Sequence, residues 1–222
     1  MSDSIVLTID GPGGAGKGTV SRLLADKLGW HYLESGALYR ALAIAASQQM
    51  INLDDQDVLA KLARTMDIQF ECNDGNRKVI LDNIDITTAM GAETCGNNAS
   101  KIAASPLIRQ ALTEKQHDFQ QPPGLVAEGR DMGTVIFPNA KHKVFLTASI
   151  DERARRRYLQ LKQSDNNVSL DVIRDEIEQR DLRDINRSVA PLKQAHDAML
   201  IDCTTITVND VVKQCLEIIG QQ

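Results

Sequence analysis

Residues 5–28 read IVLTIDGPGGAGKGTVSRLLADKL, and the order of that stretch decides the fold. Ile5, Val6, Leu7 and Ile9 form an apolar run of strand character. Gly11, Gly13, Gly14 and Gly16 then permit a tight turn that aims successive backbone N–H groups inward. Val20, Leu23, Leu24 and Leu28 recur at three-to-four-residue spacing, which predicts a helix from about Lys17, with Gly29 as its C-terminal cap. A helix start behind a glycine turn is a cradle for an anion, because its dipole and orphan amides both favour negative charge. The loop of Gly11, Pro12, Gly13, Gly14, Ala15, Gly16, Lys17, Gly18 and Thr19 is therefore the candidate site for a nucleoside triphosphate, with Lys17 placed to meet the β- and γ-phosphates. In the usual phosphate-loop pattern a hydroxyl follows the lysine and ligates Mg²⁺. Here Gly18 stands at that position and Thr19 comes one later, so Mg²⁺ is expected to be held through phosphates, water and a carboxylate, without a metal site built from protein ligands.

The chain has 222 residues and a formal net charge of −5, enough for one substantial core and the wrong sign for a general nucleic-acid or membrane-surface binder. Eight of its fourteen arginines nevertheless fall between Arg153 and Arg187, which points to a local anion site. The four cysteines, Cys72, Cys95, Cys203 and Cys215, show no C-x-x-C pairing and read as small buried hydrophobes in a reducing compartment. No leader pattern and no run of about 20 apolar residues is present, so a soluble cytoplasmic protein is the expectation; a monomer is expected as well.

Trp30–Leu33 reads as a second strand, parallel to the first. Glu34-Ser35-Gly36-Ala37-Leu38-Tyr39-Arg40 follows as a strand end, a small-residue turn and a helix start that Ser35 could cap, with Arg40 offering a bidentate fork to phosphate. Asp54 is the expected cap of a helix carrying Val58, Leu59, Leu62 and Met66. From Asp67 the apolar period changes from 3.6 to 2, predicting strands on either side of Asn73-Asp74-Gly75-Asn76 and a further turn at Asp82-Asn83. This reads as an antiparallel meander inserted into an α/β chain. Asn97–Ala104 looks helical, and Ser105-Pro106 starts another helix whose first turn holds Arg109, a cation at the wrong end of a dipole and in need of a partner. Leu125–Ala127 is a third core strand with Glu128-Gly129-Arg130-Asp131-Met132-Gly133 at its carboxyl end, where open α/β sheets bind ligands. Lys143–Thr147 and Met199–Cys203 are the fourth and fifth, and a closing helix is expected to turn Val208, Val211, Val212, Cys215 and Ile219 inward. Between those two strands, Asp151–Lys162 and a helix capped by Ser169 form an arginine-rich hairpin joined through 163–167. Arg180, Asp184 and Arg187 share one face of its second helix, with Arg183 beside it.

Two phosphate sites and a cationic lid describe a phosphoryl transferase that works by alignment and charge neutralisation. GPGGAGKGT, ESGALYR, EGRDMGTVIFP, ERARRR and RDLRDINRSVAPL together resemble the bacterial cytidylate kinases of the longer type, over essentially the whole chain. One departure is Glu34, where monophosphate kinases often carry aspartate.

The resemblance implies a P-loop three-layer αβα fold with a five-stranded parallel sheet. It implies a core of 1–33, 120–150 and 190–222, a monophosphate-binding lobe of about 34–119 that carries the meander, and a lid of about 151–189. It implies transfer of the γ-phosphoryl group of ATP, with Mg²⁺, to CMP or dCMP. Carried over by position, Arg40, Arg130 and Arg187 would take the acceptor phosphate, while Ser35, Ser100, Arg109 and Asp131 would surround the cytosine. Arg180 and Asp184 would lie at the pentose. Lys17, Arg130, Arg156 and Arg187 would be the catalytic cations, with Arg153 and Arg157 further lid candidates beside Arg156. A kinase of UMP or AMP remains the nearest rival, and a nucleotide-binding switch without kinase activity the more distant one.

Overall fold

The computed structural model describes residues 4–73, 76–162 and 169–220. Its first unit of secondary structure is the one the opening stretch predicts: β1 (Ile5–Asp10), α1 (Lys17–Leu28) and β2 (His31–Glu34), with Gly29 in the left-handed cap conformation at φ 64°. The chain continues through α2 (Ser35–Gln48), α3 (Gln56–Thr65), β3 (Ile68–Asn73), β4 (Asn76–Leu81), β5 (Ile84–Asp85), α4 (Glu93–Ile102) and α5 (Pro106–His117). It then runs through β6 (Gly124–Gly129), β7 (His142–Thr147), α6 (Ile150–Lys162), α7 (Leu170–Asn186), β8 (Met199–Asp202) and α8 (Val208–Gly220). A π-helical turn at Met132–Ile136 separates β6 from β7.

Five strands form one parallel sheet in the order β2-β6-β1-β7-β8, and β3-β4-β5 form a separate three-stranded antiparallel sheet. Central position explains the composition of β1. A parallel strand between two neighbours is covered on both faces and needs apolar residues almost throughout. Leu7 and Ile9 are fully buried in a cluster with Val20, Leu24, Val126, Val144, Leu146, Val211 and Cys215, so α1 and α8 cover that face. Burying each such leucine or isoleucine contributes about 1.5–3 kcal/mol. The strand's alternation turns Val6, Thr8 and Asp10 to the opposite face.

The chain divides into two compact units, Glu34–Asp118 and the remainder. In Glu34–Asp118, α2 packs on α3 and α4, and α3 packs on α5. The α2 sequence SGALYRALAIAAS buries Ala37, Leu38, Ala41, Leu42, Ala45 and Ala46. Its small side chains let neighbouring helices approach closely. The period-2 segment pairs Phe70 with Val79 and Ile68 with Leu81. Asp82 (φ 48°) and Asn83 (φ 67°) form the two-residue turn with positive φ at both positions that matches strand twist. The other turn, at Asp74-Gly75, and the 163–167 connection lie outside the described residues.

Several local expectations are corrected. Glu34 occupies the cap position of α2, and the Ser35 hydroxyl instead donates to Gln116 Oε1 (2.8 Å). Asp55, not Asp54, caps α3 by accepting from the Val58 amide. Both aspartates suit a cap, and the Asp54 amide itself donates to Asn52 Oδ1 in the turn before the helix. Ser105 and Ser169 stand at cap positions without side-chain cap bonds, and the Ser105 hydroxyl donates to Gln56. The helix predicted from Asn97 begins at Glu93. Val208 is 41 % exposed rather than inward, while Val211, Val212 and Cys215 are buried as expected. Cys95 and Cys203 are buried as well. No helix among the described residues is long and apolar enough to cross a membrane.

Candidate active site at the carboxyl ends of the parallel strands

The glycine loop leaves the carboxyl end of β1. Gly11 has φ 150°, and a Cβ there would sit 1.9 Å from the Leu146 carbonyl oxygen of β7, so only glycine fits. Gly16 precedes α1 with φ 91°. The first amides of α1 lack intrahelical acceptors and give the loop its positive end. Lys17 folds back over the loop and donates to the Pro12 carbonyl (2.9 Å), with 6 % of its surface exposed. Burial first, and the neighbouring Arg130 charge second, push its pKa down to about 7.

Arg130 follows the end of β6 and faces this loop. Its Nη2 lies 3.4 Å from where a Gly13 side chain would begin. Its Nε donates to Asp184 Oδ2 (2.8 Å). Burial alone would raise the Asp184 pKa, but the charge and hydrogen bond of Arg130 outweigh it and hold the carboxyl below its usual range. Asp131 is 3 % exposed and meets Arg187 Nη2 at 3.4 Å. Arg187 closes the end of α7, its Nε bonded to the Ala190 carbonyl. Arg180, one turn before Asp184, adds its charge around both Lys17 and Asp184. Six of the residues singled out from the sequence, Lys17, Arg130, Asp131, Arg180, Asp184 and Arg187, thus form one charged cluster next to the phosphate loop.

The lid arginines divide by role. Arg153 is buried, donating to the Ala148 and Gly13 carbonyls (both 3.0 Å) and pairing with Asp181 Oδ2 (2.6 Å), so it fastens α6 and α7 to the loop. Arg156 donates to the Cys203 carbonyl (2.6 Å), to the Ala15 carbonyl (3.4 Å) and to Glu152 (2.8 Å). Arg157 points along its own helix to Gln160 (2.9 Å). Beside Gly16 and Arg156 is a cavity of ≈ 30 Å³ whose apolar lining includes Ile206, Val208 and Val211.

In Glu34–Asp118, Ser35 and Ser100 are buried on α2 and α4. The Arg40 guanidinium bonds the Met90 carbonyl. Arg109 is 5 % exposed, and its partners include the Ala103 carbonyl at the C-terminal end of α4 (3.3 Å) and the face of Tyr39 (5.7 Å to the centroid). A carbonyl end and a ring quadrupole both favour a cation.

Sequence reasoning missed two participants, Asp181 and Asp10, and gave Glu128 only as an acid at the carboxyl end of the third core strand. Glu128 accepts from the Tyr32 hydroxyl (2.5 Å) and lies 3.1 Å from where a side chain on Gly18 would begin. Asp181 pairs with Arg153. Asp10 accepts the Met132 and Gly133 amides, one on each carboxylate oxygen (2.8 Å each). Burial pushes the Asp10 pKa up to about 6 against the pull of those two amides. Both Asp10 oxygens are engaged by backbone amides, whereas Glu128 stands beside the loop. No group of three or more His, Cys, Asp or Glu fit to hold a metal occurs among the described residues.

Residues 7–221 match the family model described as cytidylate kinase. The chain is 52 % identical over 220 residues to the cytidylate kinase of Methylococcus capsulatus, covering 99 % of each protein. It is 53 % identical over 213 residues to that of Stutzerimonas stutzeri, covering 95 % of this chain and 93 % of the relative. Against that of Aeromonas salmonicida the identity is 50 % over 217 residues, covering 98 % and 94 %. A phosphate loop with a guanidinium facing it, and whole-length similarity to these proteins, lead to one conclusion: the chain belongs to the cytidylate kinase family.

Proposed function

We propose that this phosphotransferase moves the γ-phosphoryl group of ATP to CMP or dCMP, giving the diphosphate. The observation that carries the reading is the placement of Arg130 against Gly13, next to buried Lys17. A fixed guanidinium facing a triphosphate loop neutralises the acceptor phosphate at the point where two phosphorylated groups must meet in line.

The loop from Gly11 to Thr19 holds the ATP phosphates. Lys17 moves from the Pro12 carbonyl to the β- and γ-phosphates. Arg130 and Arg187 exchange their aspartate partners for the acceptor phosphate, which Arg40 also binds. Ser35, Ser100, Arg109 and Asp131 read the cytosine, and Arg180 and Asp184 hold the pentose. Arg156 is the lid cation for the transferring group, and Arg153 keeps the lid base attached. The segment 151–189 acts as lid, 34–119 as acceptor lobe, and 1–33, 120–150 and 190–222 as core. Mg²⁺ would neutralise and orient the β- and γ-phosphates, and Glu128, a carboxylate beside Gly18, fits its water shell.

Cytosine offers an amino donor beside ring acceptors, whereas uracil puts an acceptor against a carboxylate, so Asp131 favours CMP over UMP. A coupled assay with MgATP and CMP, dCMP, UMP and AMP tests the proposal. Turnover confined to the cytosine nucleotides is expected. Equal turnover of AMP or UMP would redirect the reading to another monophosphate kinase, and nucleotide binding without transfer would redirect it to a switch.

A further inference from the structure

Asp10 is a buried carboxylate for which the chemistry above has no use. It is the last residue of β1, and the next peptide enters the phosphate loop. Strand alternation turns it, with Thr8, away from the Leu7 and Ile9 face and towards the π-helical turn at Met132–Ile136. The first amides of that turn lack acceptors within it, as at any helix start. Asp10 supplies both, Oδ1 to Met132 and Oδ2 to Gly133, at 2.8 Å each. Asp131 is the cap residue of the same turn, its carbonyl accepting from Val135 (2.9 Å) and Ile136 (3.2 Å). The turn also lies hard against β1, since a side chain on Gly133 would come within 2.8 Å of Thr8 Oγ1. Arg130 and Asp131 therefore lead directly into a backbone that one carboxylate pins from the far side.

We propose that Asp10 is a positioning residue for the acceptor nucleotide: by clamping the Met132 and Gly133 amides it fixes the stance of Arg130 and Asp131, and so sets the preference for cytosine over uracil. The inference rests on the assignment of Arg130 and Asp131 to the acceptor. Two parallel charge-assisted bonds fix both the position and the orientation of the turn, which a single bond does not. Asparagine has one acceptor oxygen and an amide that faces the second N–H, so Asp10→Asn breaks half of the clamp without changing its volume. Glutamate keeps both oxygens and adds a methylene, so Asp10→Glu retains the charge and displaces the turn.

The test measures kcat and KM for CMP, UMP and ATP, together with ATP dissociation constants and melting curves, on wild type and both variants. The expected result is a KM for CMP raised about tenfold or more and a CMP-to-UMP ratio of kcat/KM reduced about tenfold, with ATP affinity within about threefold of wild type. A purely structural role would lower kcat with the amount of folded enzyme and leave KM and the ratio untouched, and that result in either folded variant overturns the proposal. Should neither variant fold, hydrogen exchange in the wild-type protein decides. CMP is expected to slow exchange of the Met132 and Gly133 amides about tenfold or more, and exchange indifferent to CMP overturns it. A wild-type enzyme without preference for CMP over UMP would instead refute the functional reading and would be recognised before any variant is compared.

Discussion

ATP binding at pH 8 is predicted to draw a proton from solution onto Lys17. In the nucleotide-free protein burial and Arg130 hold the Lys17 pKa at about 7, against an ordinary value of 10.5. At pH 8 about one Lys17 in eleven is then charged, and at pH 6 about ten in eleven. A triphosphate brings several negative charges to the ammonium and returns the pKa towards its ordinary value, so each ATP bound takes up about 0.9 proton at pH 8 and about 0.1 at pH 6. Complete restoration corresponds to on the order of 5 kcal/mol of favourable interaction as an upper limit, part of which is used in breaking the bond to Pro12. Isothermal titration in buffers of different ionisation enthalpy reads the uptake directly, and Lys17→Arg, charged at both pH values, should abolish it. The same shift acts on stability: between pH 7 and the unfolded lysine pKa the unfolded chain binds the extra proton, so this group's contribution to stability rises with pH across that window. Uptake near zero at pH 8 would mean that Lys17 is already charged before ATP arrives, and the argument from its burial would be wrong.

Other substitutions test individual contacts. Gly11→Ala places a Cβ 1.9 Å from the Leu146 carbonyl oxygen and should yield no folded protein, so a wild-type melting curve would refute the close approach of β7. Asp184→Asn removes the charge paired with Arg130 at 2.8 Å; with Arg130 still 18 % exposed, the cost should be about 2–3 kcal/mol, a fall in Tm of about 5–10 °C, and a loss under about 0.5 kcal/mol would contradict the pairing. Asp131→Ala should reduce the CMP-to-UMP ratio of kcat/KM by about 5- to 150-fold, and an unchanged ratio would remove Asp131 from base recognition.

The parts of the fold that were legible are those in which a local pattern and a tertiary role coincide. The glycine spacing of the loop follows from the backbone that approaches it, and Leu7 and Ile9 announce a central strand because both faces of β1 are covered. The change of period at Asp67 is visible because a two-stranded ladder alternates its side chains. What stayed hidden depends on partners distant in sequence. Arg109 reads as a first-turn cation in need of a partner, but nothing in its own helix says that the Ala103 carbonyl and the Tyr39 ring meet it. Ser35 reads as a cap, and its true acceptor, Gln116, is 81 positions away. Asp10 looks like a polar strand end, and its two amide donors lie more than 120 residues on. The cluster of Arg130, Asp131, Asp184 and Arg187 was legible as a set of anion-site residues. Its internal pairing was not, because spacing along a chain says nothing about which aspartate neutralises which arginine before a substrate arrives.

The most direct test of the central claim, that a triphosphate loop and its facing guanidinium serve transfer between nucleotides, is the steady-state specificity constant for each nucleoside monophosphate with MgATP. The account predicts CMP and dCMP at least about a hundredfold above UMP and AMP, with ATP consumed one for one with diphosphate formed. A comparable constant for AMP or UMP, or ATP consumed without diphosphate appearing, would contradict it.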